Sequence, residues 1–469
     1  MADRGEQQEP TAAPLPNVGA EHWLAGLRAA IAPCPVESDP DVLASFSRDQ
    51  APLAPAGRAA ALVRARSTAD VIATLHFAYE QQIPVVTRGA GTGLAGGANA
   101  TDGCILLSLL NLNRIVSVDP ATRTAVVEPG VLNGVLAAAA AELGLFYPPD
   151  PASREISTIG GNIATNAGGA CCLKYGVTGD HVAALKVVLP DGTLLRTGGL
   201  SRKNVAGLDL TRLLVGSEGT LAVIVEATVR LLRAPRPAST LLAFFDTLTS
   251  AAAAIAAMDE SVDLSLLEIM DRVTLTAVEE LVHMDLDTTA AALLIAQSDA
   301  VDAPAAIAHA AKLCGEHGAR DVTRTDDVAE GRMLLAARRM ALPALERLGT
   351  TLLDDVAVPQ PAIAEMIRRI TSVAEQSGLT IGTFGHAGDG NLHPTIVFQA
   401  GQQDAALAAF DSILHSAIEL GGTISGEHGV GSLKRNYLGA MIGEHERALL
   451  ARIKAAFDPR GILNPGKAI

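Results

Sequence analysis

The sequence predicts an α+β fold divided into two large lobes. Three observations carry that expectation. Segments patterned as strands and as helices alternate along the chain. Pro235 and Pro237, in RAPRPA at 233–238, interrupt the pattern near its middle, which places a boundary there. The chain's 469 residues, 49% of them apolar, can fill two or three cores at about 150 residues each.

A polar, proline-rich stretch at 1–20 reads as a disordered tail. EHWLAGLRAAI (21–31) spaces Trp23, Leu24, Leu27 and Ile31 as one helical face. The strand-like ALVRA leads into STADVIATLHFAYEQQ, a helix with Ser67 or Thr68 as N-cap, and then into the strand IPVVTR, a βαβ-like opening. Short strands follow around CILLSL, IVSVDP and TAVVEPG, then a helix over 132–144. LKVVLPDGTLLRT reads as a hairpin turning at Asp191-Gly192, and TLAVIVEATVRLL as a further strand. Beyond the prolines, the strands TLLAFF, AALLIAQS and GARDVTRT alternate with helices at 249–258, 303–317, 328–348 and 360–376, suggesting helices layered on one sheet.

Composition excludes several functions. Lysines and arginines number 36 against 51 acidic residues, a net charge of −15, and aromatics are 3% of the chain. Neither phosphate-neutralising charge nor stacking platforms for nucleic acid are present. The N-terminus lacks an apolar signal core, and the longest apolar runs fall short of the ~20 residues that span a bilayer. Five cysteines without a C-x-x-C exclude a disulfide framework, a four-cysteine zinc site and an iron–sulfur cluster held by this chain alone. A soluble cytoplasmic protein is expected.

The first chemical signal is TRGAGTGLAGG (87–97), directly after a strand. Glycines there let backbone N–H groups converge on phosphate oxygens. Gly91, Gly93 and Gly96 satisfy the dinucleotide fingerprint G-x-G-x-x-G, but the chain returns to a strand within a few residues instead of opening a helix. The Rossmann reading is therefore rejected. A second loop, PPDPASREISTIGGNIATNAGGACCLKYG (148–176), and a third, GSEGT (216–220), are similarly built. One such loop is an ordinary turn; three within one region indicate a large phosphate-bearing cofactor.

TRGAGTGLAGGA, PDPASREISTIGGNIATNAGG, LKYGVTGDHV and GSEGTLAVIVEATVRLL resemble the FAD-binding domain of the vanillyl-alcohol oxidase superfamily. Within it they resemble the flavin-linked D-2-hydroxyacid dehydrogenases, the group of glycolate oxidase and FAD-dependent D-lactate dehydrogenase. The resemblance runs from about residue 40 to the C-terminal NPGK. It implies an FAD-binding domain at 21–233, a substrate (cap) domain at 234–425 and a segment at 426–469 returning to the flavin. It further implies a pyrophosphate along Arg88, Gly89, Ala90, Gly91, Thr92 and Gly93, with contacts from Asp150, Thr158, Gly161, Asn162 and Thr165. Glu218, Gly219 and Ile224 should lie near the cofactor, and Lys434 and Asn464 on the returning segment. The first loop holds neither His nor Cys, so the FAD is expected to be non-covalent.

Three of the 11 histidines fall in HAGDGNLH (386–393) and SGEHGVG (425–431). A hairpin centred on Asp389-Gly390 makes His386 and His393 direct cross-strand partners, ~5 Å apart at Cβ and able to chelate one cation. A lone histidine near a turn is an ordinary polar residue; this pair, with Glu427 on a glycine-flanked loop as third ligand, favours a catalytic metal site. Zn²⁺ suits it best, Mn²⁺ or Fe²⁺ also fitting. The resemblance agrees, matching His386, His393 and Glu427 to the family's metal ligands, His428 to its catalytic base and Arg338, with Arg339 beside it, to its substrate-carboxylate arginine.

These roles imply a metal-assisted reaction. His428, at an unperturbed pKa of about 6.5, removes the hydroxyl proton of a 2-hydroxyacid, and hydride passes to flavin N5. Relatives acting on D-2-hydroxyglutarate carry Asn and Lys where this chain has Thr395 and Leu353, so a small monocarboxylate such as glycolate or D-lactate fits better. Electrons must leave to an external acceptor: an iron–sulfur partner subunit, a quinone, a cytochrome or oxygen. D-2-hydroxyglutarate oxidation, a non-redox flavin transferase and a non-catalytic FAD-binding subunit are the alternatives.

Overall fold

The computed structural model describes residues 20–201 and 203–469. The tail expected at 1–20 lies, Ala20 aside, outside the described residues. The helix Ala20–Ala30 buries Trp23 and Leu27 as its spacing predicts.

Two larger sheets and a two-stranded ribbon, Leu145–Phe146 with Leu232–Arg233, build the first half. In one, the strands run in the order Val36–Glu37, Ala61–Arg64, Ile105–Ser108, Val85–Arg88, and the last three are mutually parallel. The βαβ opening is present, but Ile105–Ser108 inserts between its two strands. The connecting helix, Thr68–Gln81, starts with a capping box in which Ser67 accepts from the Asp70 N–H. The other sheet is antiparallel, ordered Ile115–Asp119, Thr124–Val127, Val223–Arg230, Val182–Val188, Leu194–Gly198. Its last hairpin turns where Asp191-Gly192 predicts: Gly192, at φ +90°, donates its N–H to the Leu189 carbonyl at 2.9 Å. Val188, Val223 and Val225 share one apolar cluster with Val63, Ile105 and Leu107, which joins the two sheets.

The second half is one eight-stranded antiparallel sheet. Alternation along Ser239–Phe245 sends Leu241, Ala243 and Phe245 into one core and Leu242 and Phe244 into another, so helices cover both faces. The helix expected over 328–348 divides at Met340 into Val328–Arg339 and Ala341–Glu346. Pro343 explains the break, because it offers no N–H to the Arg339 carbonyl four residues back and its ring crowds that turn. The expected 360–376 helix opens with the 3₁₀ turn Gln360–Ala362 and continues as Ile363–Ser377. The C-terminal stretch returns to the first sheet, where the Val85 N–H donates to the Ile462 carbonyl and the Asn464 N–H to the Val85 carbonyl, both at 2.8 Å.

Candidate active site

The three glycine loops meet around one cavity of about 450 Å³, within the range of small-molecule sites. The first loop leaves the strand Val85–Arg88 and reaches Ile105–Ser108 without forming a helix, which confirms that its fingerprint is not a Rossmann one. It lies close to the second: a Cβ at Gly89 would sit 2.5 Å from Thr158 Oγ1. Thr158 in turn caps the short helix Ile159–Thr165 by accepting from the Gly161 N–H. The third loop contributes Glu218 and Gly219, both at positive φ.

Gly89, Ala90, Gly91, Thr92 and Gly93 line the cavity, as do Thr158, Gly161, Asn162 and Thr165. Glu218, Gly219, Ile224 and Asn464 complete the expected set. Arg88 and Asp150 do not line it. The Arg88 guanidinium lies over the Phe46 ring, 5.9 Å from its centroid, and Asp150 accepts the Cys171 N–H at 3.1 Å. Lys434 also turns away, pairing with Asp354 at 2.8 Å and donating to the Asp355 and Ile424 carbonyls. Six buried atoms of wall residues, Asp49 Oδ2, Thr87 Oγ1, Ser157 Oγ, Asn162 Nδ2, His428 Nδ1 and Asn464 Oδ1, have no hydrogen-bond partner. Unpaired polar atoms around a backbone-lined cavity suit a large polar cofactor such as FAD.

Glu427 and His428 belong to the wall of the same cavity. They connect it to a cluster built on the eight-stranded sheet. The hairpin register there differs from the expectation. His386 pairs with Asn391 and His393 with Phe384, so the turn comprises residues 387–390 and is centred one residue earlier. Gly390, at φ +73°, closes against the Val358 carbonyl, where a Cβ would clash with the oxygen. The two histidines are thus diagonal neighbours. Because the offset is two residues they still share a face, with ring centroids 5.2 Å apart.

One oxygen, Glu427 Oε1, stands 3.4 Å from His386 Nε2, 3.4 Å from His393 Nε2 and 3.5 Å from His428 Nε2. Charge-assisted hydrogen bonds are shorter, about 2.7–2.9 Å. Ligands about 2.1 Å from a tetrahedral zinc ion lie about 3.4 Å from one another, so the donor set fits a shared cation.

Two residues that the sequence reading missed hold this set in place. Glu268 lies directly across from His386 on the neighbouring strand Leu266–Asp271. Its carboxylate meets His386 Nδ1 at 2.6 Å and Arg338 at 2.8 Å. Asp355 accepts from Asn391 Nδ2, Ser425 Oγ and the N–H groups of Glu427 and His428. The signal for both was present, since a carboxylate inside an apolar strand such as LLEIM, or in TLLDD, stays buried only if paired. Arg338 lies over the Phe384 ring and its Nε is unpartnered; Arg339, not Arg338, lines the cavity.

Burial disfavours charge throughout the cluster, yet the pairings outweigh it at most positions. Glu268 and Glu427 raise His386 well above the usual imidazole range. The three imidazoles, led by His386, hold Glu427 well below the carboxylate range. His393 is lowered by burial. His428 is raised, because Asp355 and Glu427 overcome its burial, so its pKa is not the unperturbed one expected from sequence.

Residues 234–468 match the family described as FAD linked oxidases, C-terminal domain, and residues 59–198 match the FAD binding domain. The chain belongs to the FAD-linked oxidases. Glycolate oxidase subunit GlcD of Bacillus subtilis is 42% identical over 87% of this chain and 88% of its own length. D-lactate dehydrogenase of Anaerostipes hadrus is 35% identical over 93% and 95%. Among solved structures, p-cresol methylhydroxylase superposes with a TM-score of 0.79 over 96% of both chains at 17% identity, which places this FAD-linked oxidase in the vanillyl-alcohol oxidase fold. Among the described residues, no helix is long and apolar enough to cross a membrane.

Proposed function

We propose that this FAD-linked oxidase converts a small 2-hydroxyacid, glycolate or D-lactate, into the 2-oxoacid. The observation that carries the reading is a single cavity whose wall runs from the glycine loops to Glu427 and His428. The names of the relatives support the substrate class. Bound FAD, held without a covalent link by the backbone of residues 89–93 and the unpaired atoms of Thr87, Ser157, Asn162 and Asn464, supplies the hydride acceptor. A divalent cation held by His386, His393 and Glu427, zinc by the chemistry of the donors, supplies a Lewis acid that lowers the pKa of a hydroxyl.

The protein's own residues do the rest. The substrate loses a hydride and one proton, and His428 Nε2 takes the proton. Once a cation neutralises Glu427, that carboxylate's share of the rise in His428 is removed while that of Asp355 remains, which moves the imidazole part of the way back toward basic competence. Arg338, with an unpartnered Nε beside the cluster, meets the substrate carboxylate, and Arg339 adds positive charge at the wall. Leu353 and Thr395 are cross-strand partners, and both lie on the His393 face of the sheet. An apolar side chain there disfavours a second substrate carboxylate. Electrons then leave to an external acceptor: an iron–sulfur partner subunit, a quinone or a cytochrome. A partner subunit is supported by the word "subunit" in the relative's name.

Anaerobic mixing of the FAD- and metal-loaded protein with glycolate, D-lactate, L-lactate and D-2-hydroxyglutarate tests the reading. Flavin bleaching by glycolate or D-lactate is expected. Silence on the whole panel refutes it.

A further inference from the structure

Residues 425–433 carry Glu427 and His428 but form neither helix nor strand, so their position is set by other parts of the molecule. Two carboxylates grip the segment from opposite ends. Asp355, from the turn after the strand Thr350–Leu353, accepts the N–H groups of Glu427 at 2.9 Å and His428 at 2.8 Å. Glu218, from the third glycine loop, accepts those of Val430 at 2.7 Å and Gly431 at 2.8 Å. The Ala95 carbonyl of the first glycine loop then takes the N–H groups of Ser432 and Leu433.

Glu218 is itself locked. Its N–H donates to the Ala164 carbonyl at 2.8 Å and its carbonyl accepts Asn464 Nδ2 at 2.6 Å. Its backbone sits at φ +50°, a left-handed conformation that costs a non-glycine residue free energy and persists only where surroundings enforce it. The segment fits closely around it: Gly429 has φ +88°, and a Cβ there would lie 3.0 Å from the Glu218 carboxyl carbon. Both carboxylate oxygens are used on the segment, and a buried anion repels a pyrophosphate.

We propose that Glu218, although it reaches the cavity wall, is a positioning residue that fixes His428 against the flavin cavity and does not bind the cofactor. The proposal rests on the role given to His428 above. A carboxylate is needed because two N–H donors converge on one side chain. The amide of Gln accepts at its oxygen but turns a second donor toward the other N–H.

The test uses Glu218→Gln, His428→Ala and the double variant, with Gly429→Ala disturbing the same contact from the segment's side. In Glu218→Gln, FAD and metal stoichiometry stay at wild-type levels. Amide exchange in a peptide covering 428–433 speeds about tenfold or more, as loss of one buried hydrogen bond implies. Flavin reduction slows by about 10- to 100-fold, while in the His428→Ala background the added change costs less than about twofold, because both act through one imidazole. Gly429→Ala shows the same pattern and carries the test if Glu218→Gln does not fold. Loss of FAD from Glu218→Gln, multiplying costs in the double variant, or unchanged exchange overturns the proposal. A wild-type protein unreactive toward every 2-hydroxyacid refutes the functional reading instead, and the exchange measurement still judges the clamp.

Discussion

Residues 89–93 line the cavity with glycines and small side chains, while its other end gathers three imidazoles around one carboxylate oxygen within 3.5 Å. The first region needs little charge compensation. The second is stable only because each buried charge is paired or hydrogen-bonded: Glu268 with His386 and Arg338, Asp355 with four neutral donors, Lys434 with Asp354. The difference teaches that the two ends tolerate damage differently. A backbone cradle fails by steric intrusion and loses its cofactor, whereas a side-chain cluster fails when one charge is left unpaired.

The largest effect is expected at the shared oxygen. Glu427→Gln removes the charge facing three imidazoles and is predicted to lose the metal and about 10³-fold or more in kcat/KM, with FAD retained. Metal analysis beside flavin absorbance checks it, and loss of FAD would break the separation of the two regions. His428→Ala should keep both FAD and metal while flavin reduction slows by about 10²- to 10⁴-fold, the range of a lost general base. Stopped-flow reduction reads it; a variant as fast as wild type removes the base.

The cradle responds in the opposite sense. In Gly160→Ala, a Cβ would lie 2.5 Å from the Pro129 side chain, so the helix that presents Gly161 and Asn162 must shift. FAD affinity should fall about tenfold with metal content unchanged, measured by flavin titration of the apoprotein. The smallest effect is expected from Thr395→Asn, which supplies a polar partner on the His393 face. It should raise relative activity toward D-2-hydroxyglutarate several-fold with little change toward glycolate, as initial rates on both substrates will show.

How much of this was legible in sequence follows the same division. The helix after Ser67, the Asp191-Gly192 hairpin and the first and third glycine loops depend on local backbone chemistry and are where their residues imply, whereas the second loop, read over 148–176, holds the short helices Ile159–Thr165 and Cys172–Tyr175. The boundaries that moved, at Met340 and at the 387–390 turn, depend on a proline read too lightly and on a tertiary contact with Val358 that no local pattern contains. For the cluster, the Asp389-Gly390 hairpin singled out His386 and His393, the glycine-flanked loop singled out Glu427, and the family resemblance singled out His428. Glu268 and Asp355 escaped attention because their roles appear only when neighbouring strands are paired. Arg88 and Asp150 sit behind the cavity wall for the same reason: proximity in sequence to a loop does not fix the direction of a side chain.

The central claim is that the flavin cavity and the histidine cluster act as one site. Anaerobic stopped-flow on FAD-loaded protein stripped of metal by a chelator tests it most directly. With glycolate or D-lactate the flavin should stay oxidised, then bleach when Zn²⁺ or Mn²⁺ is restored. Bleaching at the same rate before and after restoration would contradict the account.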